Sequence, residues 1–577
     1  MGRERASERG ALRKDPGGKL RVALVYPNEY RLGMANLGVH AVYRLVNASP
    51  HALCERAFLD GGGGEPVGLE SGRPLREFDA VAFSLSFEDD YPNVLAILAR
   101  AGLPLRSADR GAGHPLVLAG GIAAQINPEP IAPFVDAFLV GEAEALLPPF
   151  LDLARGAVGG ASRGELLRAV SRLPGGYVPS LYDVDYAPTS APGGRWVTRL
   201  EPRDGAPGRV RRAFLPDLRG VATSRAVDSP DAQFGDLHRT EIARGCVWGC
   251  RFCAAGFVQR PYREVDLETL RVEAEKGIAR GQRIGLVGPD TSDHSGLDAL
   301  TGFIGARGGA FSPSSLRVEA ITPGLARRMA EGGERSVTVA PEAGTERLRR
   351  VVNKAFGDDE VVAAVENALS AGMRNVKMYF MCGLPTETEE DVLGMARLAL
   401  RVRKEAMLPR ARSTGRMGRI VLSVNPFVPK PWTPFQWAPM ESRETLEARR
   451  RLLEKALRPK GIAVDFGSPR DAEIQTLLSR GDRRCADLLE SAHRTGGGLR
   501  RALRTWPENP RFFVHREAGT DEALPWDVLD PGVGKEFLVR ERRRGLAGKV
   551  TPRCAVTTCR ACGIACADRP ELARRPV

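Results

Sequence analysis

The chain has 577 residues, 43% of them hydrophobic, which is enough for several domains with sizeable cores. No uninterrupted apolar run approaches the roughly 18 residues of a membrane-spanning helix, so no membrane span is expected. The formal net charge of +13 is compatible with an anionic partner such as RNA. However, Arg is interleaved with Glu along helical stretches such as "EARRRLLEKALR", and no RNA-binding signature accompanies it, so nucleic acid is not the favoured partner.

Residues 1–19, "MGRERASERGALRKDPGGK", are charged and Gly-rich and lack the apolar core of a signal peptide. They read as a disordered tail on a cytoplasmic protein. In that compartment clustered cysteines bind metal more often than they form disulfides. Residues 20–155 alternate strand and helix: "LRVALVYP", "NLGVHAVYRLVN", "AVAFSLS", "YPNVLAILARAG", "PLVLAGG" and "AFLVG". That alternation predicts an α/β fold with a doubly wound parallel sheet. Residues 156–235, rich in Gly and Pro, predict a linker with β-hairpin segments such as "RWVTRL" and "RVRRAFL".

Alternation returns over 236–465 and runs for six units. The predicted strands are "LHRTEIARG", "RIGLVG", "SLRVEAI", "SVTVAPE", "NVKMYFMCG" and "RIVLSVNPFV". Six βα units suit a partial (β/α)6 barrel, with its chemistry at the C-terminal strand ends. Residues 466–577 form a helical and then irregular C-terminal region that closes on a second cysteine cluster.

The first predicted barrel strand leads into "CVWGCRFC", in which Cys246, Cys250 and Cys253 are spaced C-x3-C-x2-C. Three thiolates on one loop can converge on one inorganic core. A zinc site would need a fourth ligand, and neither His238 nor His294 has finger-like spacing. Gly245 and Gly249 allow the loop to wrap tightly, and Phe252 directly precedes the third cysteine.

With that aromatic in place, the run resembles the signature of the radical S-adenosylmethionine (SAM) enzymes. The resemblance implies that Cys246, Cys250 and Cys253 hold a [4Fe–4S] cluster whose fourth iron is chelated by SAM. Reductive cleavage of SAM would then give a 5′-deoxyadenosyl radical. It further implies SAM contacts from Phe252, from Asp290 in "GPD" and from Glu342 in "APEAGTERLRRVVNK". Asp290 is read alternatively as a helix cap. Arg347 is placed at the SAM carboxylate or, alternatively, in an exposed ion pair. The turn "GLPTET" resembles one in the methylthiotransferase branch, which puts Gly383 against the cofactor and makes Glu387 either a site residue or a helix N-terminal carboxylate.

The N-terminal domain is similar to cobalamin-binding domains fused to radical SAM proteins. The matching positions are the helix "NLGVHAVYRLVN", the loops "AFSLSF" and "LAGG", and the turn "VGEAEA". The likeness nominates Ser84, Ser86, Gly120 and Gly121 for cobalamin contacts. The Asp-x-His-x-x-Gly motif that supplies a cobalt ligand is missing from "YPNEYRLGMANLG", and His40 reads as a surface or packed residue. The domain therefore binds cobalamin without that ligand, or keeps the fold for another ligand or for docking.

Cys554, Cys559, Cys562 and Cys566 form C-x4-C-x2-C-x3-C, a spacing that fits an auxiliary iron–sulfur cluster or zinc. Cys54, Cys382 and Cys485 stand alone and read as small buried apolar residues. Over about residues 20–567 the chain resembles a bacterial radical SAM subfamily with a cobalamin-binding-type N-terminus. The resulting expectation is a radical SAM enzyme, with cobalamin-assisted methyl transfer to an unidentified substrate and electrons from a flavodoxin or ferredoxin. The alternatives are methylthiolation-like modification of RNA and a non-enzymatic iron–sulfur redox module.

Overall fold

The computed structural model describes residues 7–573, apart from 60, 159, 161 and 189–193. Six strands build the N-terminal sheet: β1 (Leu20–Tyr26), β2 (Ala52–Phe58), β3 (Ala80–Ser84), β4 (Leu116–Gly120), β5 (Ala137–Leu139) and β6 (Gly176–Tyr177). Their order is β2-β1-β3-β4-β5-β6, with the first five parallel and β6 antiparallel to β5. The strands are nearly continuous apolar runs because helices cover both faces of a parallel sheet. The order of strand addition reverses between β1 and β3, which opens a crevice beyond their carboxyl ends. The helix Leu37–Ala48 borders that crevice. It starts where the Asn36 side chain accepts from the backbone N–H groups of Gly38 and Val39.

Two boundaries differ from the sequence reading. The segment expected to be a disordered tail is docked from residue 7 onward. Arg56, buried, pairs with Glu8 at 2.7 Å, and the Lys14 ammonium donates to the carbonyls of Asn47, Ser49 and Ala52. Carbonyls at a helix end and a buried guanidinium give these charges fixed partners that composition alone does not reveal. The N-terminal sheet also runs past residue 155, since β6 completes its edge. In the following segment β7 (Tyr182–Pro188) and β8 (Arg195–Pro202) form an antiparallel hairpin.

The barrel region holds seven parallel strands in two arcs, not six. One arc is β10 (Leu237–Glu241), β13 (Arg283–Val287) and β14 (Phe311–Pro313). The other is β15 (Ser336–Glu342), β16 (Asn375–Cys382), β17 (Ile420–Pro426) and β18 (Ala463–Phe466). β18 was not expected from the sequence. "SLRVEAI" is not a strand: the ladder ends at Pro313, which has no N–H to continue it, and Val318–Ala320 forms a 3-10 turn. Two short strands, Ala243–Arg244 and Arg263–Glu264, lie between the first two strands of this region.

The C-terminal region is wedged against both earlier units. Asn127 donates to the carbonyls of Ser479 at 3.0 Å and Gly481 at 2.8 Å, and Arg483 pairs with Glu129 at 2.7 Å. β19 (Leu529–Asp530) pairs with β9 (Val210–Arg211), and the helix Lys535–Leu546 lies beside the cysteine loop. Cys54, Cys382 and Cys485 are all buried, as expected of small apolar residues. Among the described residues no helix is long and apolar enough to cross a membrane.

Candidate active site

Just beyond the carboxyl end of β10, a two-residue ladder between β11 (Ala243–Arg244) and β12 (Arg263–Glu264) closes the base of a loop that carries the three cysteines. Gly245 has φ +74°, and a Cβ there would stand 2.4 Å from the Pro261 carbonyl oxygen, so only glycine fits the turn into the loop. The Cys253 N–H donates to the Cys250 carbonyl at 3.1 Å, and the Trp248 N–H points at the Cys246 sulfur at 3.4 Å. Phe252 is half-buried against an apolar cluster that includes Leu348, Val352 and Phe435, which turns the loop so that its thiols face inward. Burial pushes the Cys253 thiol up to about 11 and also raises Cys246 and Cys250, with neighbouring thiols adding to the shift at Cys246 and Cys253. Metal coordination reverses that logic, because a bound cation deprotonates its thiols outright. Among the described residues no three His, Cys, Asp or Glu side chains converge tightly enough to hold a single metal ion. A cube-shaped iron–sulfur core asks less convergence, since each thiolate meets a different iron.

The neighbourhood of the thiols is charged. Asp290, at the end of β13, is buried; it accepts from the Ser292 N–H at 3.0 Å and so caps the following 3-10 turn. Asp293 sits beside it. Burial and then the Asp290 charge raise its carboxyl to about 7, and its Oδ2 is buried without a hydrogen-bond partner. Glu342 ends β15 in the left-handed region at φ +66°, a conformation costly for a residue with a side chain. Its Oε1 accepts from the Lys354 ammonium at 3.0 Å. Burial alone would lower the lysine; Glu342 and the Cys250 sulfur hold it above the usual range. Arg317 lies 3.7 Å over the Trp248 ring, next to Cys250 and Asp290. Asp293, Lys354 and Arg317 are the residues that sequence reasoning missed.

Other nominated residues are placed elsewhere. Arg347 is half-exposed and turned away: it donates to the Thr386 carbonyl at 2.8 Å and pairs with Asp391, so its ion-pair reading holds and the SAM-carboxylate reading does not. Gly383, at φ +93°, gives its N–H to Glu387 at 2.6 Å, and Glu441 fills the space in front of it. Glu387 is not a helix-capping carboxylate. Its Oε2 accepts from Arg449 at 2.8 Å, inside the fold, and burial pushes the carboxyl up to about 7 in spite of these donors. A raised folded-state value means that the folded chain holds a proton the unfolded chain releases, so stability falls as pH rises from the ordinary carboxylate range to about 7. Urea denaturation should show Glu387→Gln gaining about 1–3 kcal/mol relative to wild type between about pH 5 and 8. A pH-independent difference would contradict this.

The sheet crevice holds a cavity of about 320 Å³ lined by Ser84, Ser86, Gly120 and Gly121, all four nominated positions. Gly121, at φ +101°, lets the chain pass within contact of the Leu85 carbonyl. Ser86 accepts from the Asn36 side chain at 2.8 Å. Gln125 lines the same cavity with its Oε1 buried and unpaired. His40 is buried rather than exposed. Its Nε2 meets the Met34 carbonyl at 3.0 Å, its Nδ1 faces the Ala226 N–H, and burial holds it neutral near 4. The far wall of the cavity is Arg244, which binds Glu142, Glu144 and Glu241 at 2.7–3.0 Å. Arg244 is two residues from Cys246, so the crevice and the cysteine loop share a wall.

Two family models match the chain: radical SAM proteins, N-terminal, over residues 38–179, and the radical SAM superfamily over 240–399. The second spans the cysteine loop and the strand ends around it. The chain belongs to the radical SAM superfamily. Radical SAM enzymes use a [4Fe–4S] cluster and SAM and need an electron donor as well as a substrate. An uncharacterized protein, MJ0966, of Methanocaldococcus jannaschii is 28% identical over 482 residues, 81% of this chain and 90% of that one. The solved radical SAM methyltransferase TsrM of Kitasatospora setae, with tryptophan and a SAM analogue bound, superposes at TM-score 0.49 with 16% identity. That match covers 74% of this chain and 76% of TsrM. The cobalamin-dependent radical SAM enzyme OxsB superposes at TM-score 0.43 with 12% identity, covering 83% of this chain and 71% of OxsB.

Proposed function

We propose that Cys246, Cys250 and Cys253 hold the [4Fe–4S] cluster and that the charged groups around them bind SAM. The observation that carries this is the set of three inward-facing thiols on one loop, ringed by Asp290, Asp293, Glu342, Lys354 and Arg317. When bound, the reduced cluster supplies the electron that splits the SAM sulfonium bond into methionine and a 5′-deoxyadenosyl radical. The chain's own residues do the rest. The unpaired Asp293 oxygen is an acceptor for the SAM amino group, and Glu342 is one for the ribose hydroxyls. Lys354 and Arg317 supply the positive charge that a SAM carboxylate and an anionic cluster both require. Phe252 and its apolar seat keep bulk water from the thiols.

The protein is read as cytoplasmic, with a flavodoxin or ferredoxin as its donor. Anaerobically reconstituted protein given dithionite and SAM should release 5′-deoxyadenosine. If SAM neither reacts nor perturbs the cluster spectrum, the assignment fails.

The crevice cavity fits the tail of a cobalamin, which makes methyl transfer the favoured reaction. The support is the cavity's place at the sheet's switch point, the orphaned Gln125 oxygen and the wall it shares with the cysteine loop. Because His40 is engaged on both ring nitrogens, the cobalt receives no histidine from this helix. Ser86→Trp should fill the cavity and lower cobalamin retention on gel filtration by at least about tenfold, roughly 1.4 kcal/mol. Equal retention by wild type and variant would place the corrinoid elsewhere.

A further inference from the structure

We infer that the four C-terminal cysteines hold a second iron–sulfur cluster, which relays electrons to the SAM-binding one through a backbone hydrogen bond from Cys554 to Val247. The inference rests on the assignment of Cys246, Cys250 and Cys253 above. The Cys554 N–H donates to the Val247 carbonyl at 2.8 Å, and Val247 directly follows Cys246. One hydrogen bond and the backbone of neighbouring residues therefore join a thiol of one set to a thiol of the other.

Two further ties fix this contact. Thr551 donates its N–H to the Asn353 side chain at 2.8 Å, and Arg553 pairs with Asp293 at 3.3 Å while reaching towards the Trp248 ring. The other three cysteines share one tight turn: the Ala567 N–H donates to the Cys559 carbonyl at 3.2 Å, the Ala561 N–H points at the Cys559 sulfur at 3.5 Å, and Cys562 and Cys566 are buried. Their loop is curled by Gly563 at φ +104° and anchored by the Gly534 N–H on the Cys562 carbonyl at 2.8 Å.

The chemistry follows from the ligand count. Four thiolates close a cluster completely and leave no iron open to substrate, unlike the three-cysteine set. A closed cluster still exchanges electrons, whereas zinc in the same cage does not. In the relay step one electron leaves the reduced C-terminal cluster and enters the SAM-binding cluster. The first is oxidised by one unit and the second reduced by one, and no bond or proton changes. A low-potential one-electron donor, dithionite or a flavodoxin-type protein, restores the first.

The test uses the full chain, reconstituted anaerobically, and a Cys559→Ser/Cys562→Ser variant. Wild type should carry about eight irons and the variant about four. The dithionite-reduced wild type should give an electron paramagnetic resonance signal broadened by coupling between two clusters. The variant should give one narrow signal that SAM still shifts. Reduction of the SAM-sensitive cluster by a flavodoxin should be slower in the variant by at least about tenfold. Stoichiometric zinc in wild type, two unbroadened signals, or an unchanged reduction rate each overturns the relay. A wild-type signal that SAM does not shift overturns the underlying SAM-site assignment instead, so the two failures are distinct. The wild-type measurements stand even if the variant does not fold.

Discussion

Cys250→Ala is expected to remove the SAM-responsive cluster and, with it, SAM cleavage. Lys354 and Arg317 act on the Cys250 thiol most strongly after burial itself, followed by Glu342 and Asp290. Losing an outer partner of a metal centre costs roughly 10–100-fold, so losing a ligand should exceed that and leave 5′-deoxyadenosine release at least about 100-fold down. Iron should fall from about eight to about four per chain while the other cysteine set stays loaded. Circular dichroism should be unchanged, because the loop is held by Phe252, Arg251 and the β11–β12 ladder rather than by the thiol. Retention of a SAM-shifted cluster in this variant would mean that the ligands lie elsewhere.

Arg251→Met is expected to destabilise the chain by about 3–5 kcal/mol, the range for removing one member of a buried ion pair. Arg251 is fully buried within the cysteine motif itself. It donates to the carbonyls of Arg350 and Val351 at 3.0 Å, to Lys549 at 2.8 Å, to the Thr551 hydroxyl at 3.1 Å and to Glu541 at 3.2 Å. One side chain thus fastens the cysteine loop, the end of the helix Glu346–Val351 and the helix Lys535–Leu546 together. Methionine keeps much of the volume but leaves Glu541 with only its longer pair to Arg544, at 3.6 Å. The double variant Arg251→Met/Glu541→Leu should recover at least about half of the loss. Urea midpoints and limited proteolysis after residue 541 would check both. A single variant within about 1 kcal/mol of wild type would sink the argument.

The strand–helix alternation was legible because burial on a parallel sheet writes itself into short apolar runs. The cysteine motif was legible because its ligands share one loop. Residues whose roles depend on distant elements were not. Lys354 reads as one more basic residue after a helix; Asn353, left-handed at φ +64°, turns the chain so that Lys354 dips beside Glu342. Arg251 is fully buried, which its place in a cysteine loop does not reveal. Arg347 had a suitable spacing from Glu342, but its helical phase aims it at Asp391. "SLRVEAI" had strand-like composition, yet Pro313 had already ended the ladder. The crevice residues Ser84, Ser86, Gly120 and Gly121 were readable because loops at strand ends follow from strand positions.

The helix Lys535–Leu546 and the residues up to Cys554 close over a loop made some 300 residues earlier in the chain. A ribosome adding about 5–20 residues per second needs about 15–60 s to cover that distance. For that interval the nascent chain displays Cys246, Cys250 and Cys253 without Glu541, Thr551 or Val247's hydrogen-bond partner. Oxidants and iron donors therefore meet the motif before the fold does. Chains broken off before residue 541 would keep that open form indefinitely.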